Sequence, residues 1–413
     1  MKKKNILICI ISDLFIRNYL LKDSFKEIEK HYNCYYIAQH TVKLRSHLIK
    51  KKNFLGFYTH SVDKKKKYVK FVLLNTFFSF YKSKSITYLG KKYFKIKFFR
   101  SHENFFYKFK NLPLRLIIKF YRHINFFSHR IFFKLFKAKL IEPGYKINNF
   151  ILKSIEKFNP SLIIVPNGGQ GIGYYDILRI ADKKNIKTLG IIDNWDNMSS
   201  RIHYNLKPTS YAVWGAQSIF FAKKIQNFAK KIYIIGTSRF ENYFNKRNKN
   251  LKSHFKFNYF LFAESYDMTD GLEELFNKID DILTKKFNGL YKLVYRPHPW
   301  RKDKRIINIS KYKNIIIDPQ LKKNYYNADF RHQNQPNIDY YPSLIKNAHL
   351  ILSGPGSMVV ESLIFWKKII IFAHDKHIDY GMHNYMLNFD HFDGIEKFKN
   401  VKVCYDLKNL EKI

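Results

Sequence analysis

The sequence predicts an α/β protein built from two doubly wound domains, and three observations support this. Its 413 residues are more than one ordinary hydrophobic core accommodates. Short apolar runs alternate with helix-length stretches, which is the pattern of parallel sheets covered by helices. Several apolar runs also end in loops rich in glycine, serine or aspartate, and ligands bind at that edge of a parallel sheet.

Composition restricts the class of protein further. Hydrophobic residues make up 46% of the chain, which is enough for a packed core and excludes a disordered protein. The chain has no apolar run of about 18 residues or more, so no transmembrane helix is predicted. Three widely spaced cysteines predict neither a disulfide framework nor a metal site. They are typical of a cytoplasmic protein.

The net charge of +43 is concentrated in one region. Residues 41–140 hold 26 lysines and arginines against two acids, Asp63 and Glu103, and we interpret this region as a basic, aromatic-rich insertion in the first domain. Such an excess attracts anionic lipid, nucleic acid or charged glycans. The spacing of aromatic and basic residues in 126–137 fits a helix on a membrane surface. It fits equally well a helix that packs on its own domain.

The first domain is predicted to span residues 1–244. A strand at 5–11, a helix over 15–29 and a strand at 35–37 precede the insertion. Four further strands follow it, at 161–165, 188–192, 211–214 and 232–235. Helices are expected from Tyr174, after the first of them, and after Gly215, which follows the third. The polar stretch 245–254 is interpreted as the link between the domains.

The second domain is predicted to span residues 255–413. Strands are expected at 259–263, 291–295, 315–317 and 348–352, with a last core strand at 368–372. Helices are expected over 271–287 and 341–346, with a long loop between the 315–317 strand and Tyr340. The final residues, 406–413, have the pattern of a helix that has just begun.

The motif Ser353-Gly-Pro-Gly-Ser357, between an apolar run and a helix start, is the most informative stretch of the chain. Such a loop directs free backbone N–H groups and the positive end of a helix dipole at one point, which suits a phosphate. The two serine hydroxyls add donors, and Glu361, one turn later, can accept from a ribose or sugar hydroxyl. The alternative is an ordinary turn, with Ser357 as the N-cap and Glu361 complementing the dipole.

A second motif, Arg296-Pro-His298-Pro299, follows another predicted strand. The prolines stiffen the turn, and a neighbouring arginine and histidine can both donate to a phosphate. The alternative is a buried structural histidine in a proline-rich turn.

Together with the stretch 339–348, these motifs resemble those of bacterial surface-polysaccharide glycosyltransferases of the GT-B fold and of CDP-glycerol-type transferases. The segments 213–217 and 235–240 are similar to the run that closes the first domain in these families. Non-hydrolysing UDP-N-acetylglucosamine 2-epimerases share the same layout. The resemblance covers about residues 160–375. It implies two Rossmann-like domains that face a cleft.

The resemblance implies a nucleotide-activated sugar donor bound by the second domain, with no cofactor besides this substrate. Arg296 and His298 would contact the donor phosphates, and Glu361 the ribose or sugar. The residues expected to surround the phosphates are Ser353, Gly354, Gly356 and Ser357 on one side and Gly236 and Arg239 on the other. Many retaining enzymes of this fold carry a second glutamate eight residues after the first. That position is Ile369 here, which favours inversion.

An inverting transfer needs a base that deprotonates the acceptor hydroxyl. The candidates are Asp13, Asp193 and Asp196, with Glu264 or Asp267 as a further possibility. Helix capping is the simpler explanation for Asp13, and an Asx-turn explains the other pair equally well. Trp195 could stack on a sugar ring. The spacing of Asp193 and Asp196 matches a metal-binding DxD motif only loosely, so no metal site is predicted.

The leading hypothesis is an inverting, metal-independent glycosyltransferase of polysaccharide or lipopolysaccharide synthesis. Its partners would be a nucleotide-sugar, a glycan or lipid-linked acceptor and an anionic membrane surface, at the inner face of the plasma membrane. The alternatives are a polyol-phosphate transferase, a nucleic-acid-binding protein and an epimerase. No recognised nucleic-acid motif is present, so nucleic acid is not expected as a partner.

Overall fold

The computed structural model describes residues 3–61, 83, 85, 147–166, 172–200, 204, 206–265, 271–298, 306–327, 337, 339–373, 387 and 389–413. The chain divides into two compact units, Met1–Ser238 and Arg239–Ile413. Each unit contains one parallel sheet, which confirms the predicted fold class.

The first unit contains a seven-stranded sheet in the order β3-β2-β1-β4-β5-β6-β7, with every neighbouring pair parallel. Its strands are β1 (Asn5–Ile10), β2 (Asn33–Gln39), β3 (Phe54–Tyr58), β4 (Leu162–Pro166), β5 (Lys187–Ile191), β6 (Ser210–Val213) and β7 (Lys231–Ile234). The described helices are α1 (Asp13–Phe15), a π-helix (Ile16–Leu20), α2 (Lys26–His31), α3 (Ser46–Ile49), α4 (Asn149–Phe158), α5 (Ile172–Lys183), α6 (Asn197–Ser200) and α7 (Ala216–Lys224). A 3-10 turn, Ser238–Phe240, follows β7.

The second unit contains a six-stranded parallel sheet in the order β10-β9-β8-β11-β12-β13. Its strands are β8 (Asn258–Ala263), β9 (Tyr291–Arg296), β10 (Ile315–Ile317), β11 (Leu350–Ser353), β12 (Ile369–Phe372) and β13 (Val401–Cys404). Its described helices are α8 (Glu241–Lys246), α9 (Leu272–Lys285), α10 (Pro319–Tyr326), α11 (Tyr341–Lys346) and α12 (Ser357–Ile364). Short 3-10 helices lie at Ile309–Lys311, Asp390–Phe392, Ile395–Lys397 and Leu407–Lys412.

Continuous apolar strands form the centre of both units, as expected where helices cover both faces of a parallel sheet. All four residues of β12 are buried, and its last residue, Phe372, belongs to an aromatic group with Phe262, Phe276 and Tyr295.

Four elements differ from the sequence predictions. The helix predicted over 15–29 is interrupted, because Asp23 adopts a left-handed φ of 51° and ends the first helical segment. The loop predicted before Tyr340 contains α10, which Asp318 caps. The strand at 368–372 is not the last, since β13 adds to its outer side. Strand β3 lies inside the predicted insertion 41–140, most of which falls outside the described residues.

The division between the units precedes the predicted domain end at residue 244. Residues 245–254, predicted to link the domains, belong to the second unit. The Lys346 ammonium donates to the carbonyls of Arg247 and Lys249, and Asn347 donates to the carbonyl of Leu251. Within the described ranges, no helix is both long and apolar enough to cross a bilayer.

Candidate functional site

The carboxyl edge of the second sheet has a topological switch point between β8 and β11. The chain runs outward from β8 through β9 to β10 and then returns to the other side of β8 as β11. Crevices at such points are the usual ligand sites of open α/β sheets. Ser353, Ala263 and Arg296 are register partners at the ends of three adjacent strands. The Gly354 loop, Glu264 and the His298 turn therefore leave the sheet side by side.

The loop after β11 leads directly into α12. Gly356, rather than Ser357, is the N-cap, in an extended conformation with φ −175° and ψ −175°. No side chain caps the helix, so its first N–H groups depend on another acceptor. A Cβ added at Gly356 would come no closer than 4.0 Å to its nearest neighbour, the carbonyl oxygen of Gly354. Packing therefore does not require glycine at this position. The space beside Gly356 is open and leads to the N-terminus of α12.

Ser353 and Ser357 occupy different environments in this loop. The Ser353 side chain is buried and its hydroxyl donates to the Gly354 carbonyl at 2.9 Å. It holds the turn closed. Ser357 is half-buried at the first position of α12, where its hydroxyl and backbone N–H are available beside the helix dipole.

Glu361 lies one turn into α12 and forms a compact polar cluster with two residues near the start of the unit. Its Oε1 accepts from Arg239 Nη2 at 2.5 Å, and its Oε2 accepts from the Tyr243 hydroxyl. Two residues predicted to contact the donor separately, Arg239 and Glu361, are thus directly paired. Gly236, the other residue predicted with Arg239, belongs to the first unit, where it adopts a left-handed φ of 68° after β7.

Burial and charge shift the protonation equilibria of this cluster. Burial alone lowers the pKa of Arg239, but the adjacent Glu361 carboxylate and Tyr243 phenol raise it by more, so the net shift is upward. Burial and the Glu361 charge raise the pKa of Tyr243 well above its ordinary value. At neutral pH the cluster therefore contains a cationic guanidinium and a neutral phenol around one carboxyl group.

Arg296 and His298 point to different partners despite their proximity in sequence. The Arg296 guanidinium is buried, pairs with the fully buried Asp318 and donates to Gln320 Oε1 at 2.8 Å. It also lies 4.3 Å from the centre of the Tyr341 ring. This network joins β9 to the N-terminus of α10, and it pairs the guanidinium that was predicted to contact a phosphate with Asp318 and Gln320.

His298 remains at the carboxyl edge, half-buried, and Glu264 fixes its backbone. The Glu264 Oε2 accepts from the His298 N–H at 3.1 Å and from the Tyr295 hydroxyl at 2.8 Å. Pro299 and Asp267, parts of the same predictions, lie outside the described residues.

The three aspartates predicted as candidate bases lie in the first unit and differ in their environments. Asp13 is buried, and its Oδ1 accepts from the backbone N–H groups of Lys43 and Leu44 at 2.8 and 2.9 Å. Ser12, not Asp13, caps α1. Asp13 therefore stabilises the segment after β2.

The other two aspartates follow β5. Asp193 is buried, and its carboxylate accepts from the Asn197 side chain. Asp196 is half-buried, and its carbonyl accepts from the Ser199 N–H at 3.0 Å. As a whole residue Asp196 is less buried than Asp13 or Asp193, although its Oδ1 atom is enclosed.

A buried His60–Asp176 pair, with Nδ1 and Oδ2 3.4 Å apart, was missed by sequence reasoning. The two residues are distant in sequence and belong to no motif, so only the fold brings them together. The described residues contain no group of three or more potential metal ligands.

No protein-family model and no curated protein sequence matches the chain significantly. Solved structures do match. The UDP-GlcNAc 2-epimerase of Methanocaldococcus jannaschii aligns over 99% of this chain and 91% of its own, with TM-score 0.50 and 12% identity. MnaA of S. aureus with UDP aligns over 99% and 86%, with TM-score 0.47 and 10% identity. MurG of Acinetobacter baumannii aligns over 100% and 89%, with TM-score 0.45 and 10% identity.

The likeness to the Methanocaldococcus jannaschii structure shows the fold. The chain has a GT-B-like two-domain fold, with parallel sheets of seven and six strands, a fold shared by glycosyltransferases and UDP-GlcNAc 2-epimerases.

Proposed function

We propose that this protein is an inverting glycosyltransferase that moves a sugar from a nucleotide-activated donor to a cell-surface polysaccharide or lipopolysaccharide acceptor. The observation that carries the proposal is the N-terminus of α12. It has no side-chain cap, it follows a glycine whose Cβ position is open, and it lies at the switch point of the second sheet.

The donor diphosphate would accept hydrogen bonds from the first N–H groups of α12 and from the Ser357 hydroxyl. The half-buried His298, held by Glu264, would donate from the adjacent turn. The helix dipole and the imidazole would stabilise the negative charge that develops on the departing nucleotide.

Glu361 would contact the ribose or sugar hydroxyls. Its carboxylate already accepts from Arg239 and Tyr243, and two oxygens provide about four lone-pair sites, so it can accept further hydrogen bonds. Arg239 would act by orienting this carboxylate.

For the base that accepts the acceptor's proton, the geometry favours Asp196. The carboxylates of Asp13 and Asp193 are buried and accept from neighbouring N–H groups. Asp196 is the least buried of the three residues, and it lies in the loop that follows β5.

The first test is thermal unfolding with UDP, CMP, CDP, GDP and dTDP, with single-stranded DNA as the polyanion control. A nucleotide at 100 times its Kd adds about 2.7 kcal/mol to the free energy of unfolding. We expect one nucleotide to stabilise the protein selectively, and the effect to be lost in His298→Ala. The matched control is His31→Ala, which removes an exposed imidazole from α2 in the first unit.

Stabilisation by DNA alone, or by no nucleotide, would overturn the proposed donor site. Once a nucleotide is identified, the corresponding nucleotide-sugar should be incubated without an acceptor. A change in the sugar's configuration under these conditions would identify an epimerase and contradict sugar transfer.

A further inference from the structure

The first unit exposes a group of large apolar side chains on α7 and β7. In the described part of the chain, Phe220, Tyr233, Ile234 and Ile235 are 53%, 43%, 58% and 52% exposed. We call these four residues the β7 patch. Single exposed apolar residues are common, but three consecutive ones, together with an exposed phenylalanine on the preceding helix, indicate an interaction surface.

The position of β7 explains why these side chains remain uncovered. Among the described strands, β7 lies at one edge of the seven-stranded sheet and pairs only with β6. Ile232 packs against the cluster formed by α7 and β6, whereas Tyr233, Ile234 and the following Ile235 are exposed. The apolar residues at 233–235 therefore belong to none of the described core clusters of their own unit.

Cations surround the patch. Four exposed lysines lie on α7, in the turn that follows it and at the start of β7: Lys223, Lys224, Lys230 and Lys231. The Lys224 ammonium lies 5.0 Å from the centre of the Phe220 ring, and the Lys231 ammonium lies 4.9 Å from that of Tyr233. The sequence contains no aspartate or glutamate between Asp196 and Glu241.

We propose that the β7 patch is a docking surface for an anionic phospholipid membrane. Exposed aliphatic and aromatic side chains would enter the interfacial region, and the surrounding lysines would contact the lipid phosphates. This proposal does not rest on the proposed enzymatic function. It also involves described residues outside the basic insertion predicted at 41–140.

Charge complementarity favours lipid over a second copy of the chain. A symmetric contact between two β7 patches would bring the four lysines of each copy together. The segment 197–240 offers no carboxylate to neutralise them. An anionic bilayer supplies both the apolar environment and the opposite charge.

The chain is well suited to a site-specific test, because Cys9, Cys34 and Cys404 are all buried. Burial also raises the pKa of Cys34 and Cys404 to about 11, which suppresses their reaction with thiol reagents. A cysteine introduced by Ile234→Cys can therefore be labelled selectively with a nitroxide. The matched control is Leu290→Cys, at a leucine of the second unit that is 70% exposed.

The measurement is the accessibility of the nitroxide to oxygen and to a water-soluble nickel complex, in the full chain. Vesicles of phosphatidylcholine with and without phosphatidylglycerol provide the comparison. At position 234, we expect the anionic vesicles to increase collisions with oxygen and to suppress those with nickel. Position 290 should show no change, and neutral vesicles should have little effect at either position.

Two results would overturn the proposal. One is a nitroxide at 234 that stays accessible to nickel while the protein sediments with anionic vesicles, since binding would then occur through another surface. The other is spin–spin broadening at 234 without vesicles, together with a dimeric mass by light scattering, which would identify a second copy as the occupant.

Discussion

Arg239 and Glu361 form an ion pair with Nη2 and Oε1 2.5 Å apart, in side chains that are only 15% and 6% exposed. The pair connects the segment before α8 to the first turn and a half of α12. Because α12 begins at the candidate phosphate-binding loop, the same pair orients the helix on which that loop depends.

Removal of one partner of this pair should be strongly destabilising. Arg239→Met leaves the Glu361 carboxylate buried without its cation, which costs about 3–5 kcal/mol of unfolding free energy. The double variant Arg239→Met/Glu361→Gln should be less destabilised than the sum of the two single variants, since neither charge remains buried. Urea unfolding of the four proteins measures this coupling. Strict additivity would show that the two side chains do not interact in solution.

Tyr243 adds a pH dependence with a definite sign. Tyr243→Phe removes the hydroxyl that donates to Glu361, a loss of about 1.5–3 kcal/mol for a hydrogen bond to a charged group. In the native state the pKa of Tyr243 is raised well above 10, so the phenol ionises first in the unfolded chain. The contribution of the neutral phenol to the free energy of unfolding is therefore fully present below pH 10 and decreases as the pH rises above 10.

The difference between wild type and Tyr243→Phe should therefore shrink above pH 10 by about 1.4 kcal/mol per pH unit. Unfolding free energies at several values from pH 8 to 11 test this. Phe244→Leu, at an exposed and non-ionisable position of the same helix, is the control and should show a constant difference. A constant difference for Tyr243→Phe as well would contradict the buried, neutral state of the phenol.

The sequence predicted the fold class because that information is local. Apolar runs with buried residues on both faces mark strands such as β8 and β12 without reference to the rest of the chain. The loop 353–357 was predicted for the same reason. The break at Asp23 was missed, because the apolar spacing of 15–29 continues through a residue whose left-handed backbone leaves no trace in the pattern.

Side-chain partners were not predictable in this way. The sequence suggested that Arg296 binds a ligand together with His298. Its ion-pair partner is Asp318, which follows β10 and is 22 residues away in the sequence. The partners of Glu361 and the pairing of His60 with Asp176 likewise depend on tertiary structure. Local sequence gives the types of residue at a strand end, whereas the direction of each side chain depends on the packing of neighbouring elements.

Arg296 and His298 should therefore respond differently to substitution. Arg296→Leu leaves the buried Asp318 without its cation and should cost about 3–5 kcal/mol of unfolding free energy. His298→Ala, at a half-buried position, should change stability little but abolish stabilisation by the nucleotide. Unfolding curves with and without nucleotide separate the two effects. A nucleotide response that survives in His298→Ala would exclude the imidazole from the donor site.

The aspartates of the first unit allow a similar separation. Asp13→Ala deprives two backbone N–H groups of their acceptor and should cost about 1–3 kcal/mol of stability. Asp196→Asn should leave both stability and nucleotide binding unchanged but reduce the rate of sugar transfer by about 10²–10⁴-fold, as expected for a lost general base. Full turnover in Asp196→Asn would assign the base to another residue.

Gly356, the N-cap of α12, allows a sharp test of the proposed phosphate site. Its substitution by serine should raise the stability of the protein and weaken nucleotide binding. In Gly356→Ser, the new hydroxyl can accept from the first N–H groups of α12, and a serine N-cap stabilises a helix by a few tenths of a kcal/mol relative to glycine. The same hydroxyl would occupy the donors proposed to bind phosphate. We therefore expect a slightly higher melting temperature and a weaker response to nucleotide.

Gly215 supplies the matched control in the first unit. It caps α7 in nearly the same extended conformation, with φ −173° and ψ −172°, and a Cβ there would meet nothing within 4 Å. Gly215→Ser should raise stability in the same way and leave nucleotide binding intact. Equal loss of binding in both variants would indicate a global effect, and unchanged binding in Gly356→Ser would exclude the α12 N-terminus as the phosphate site.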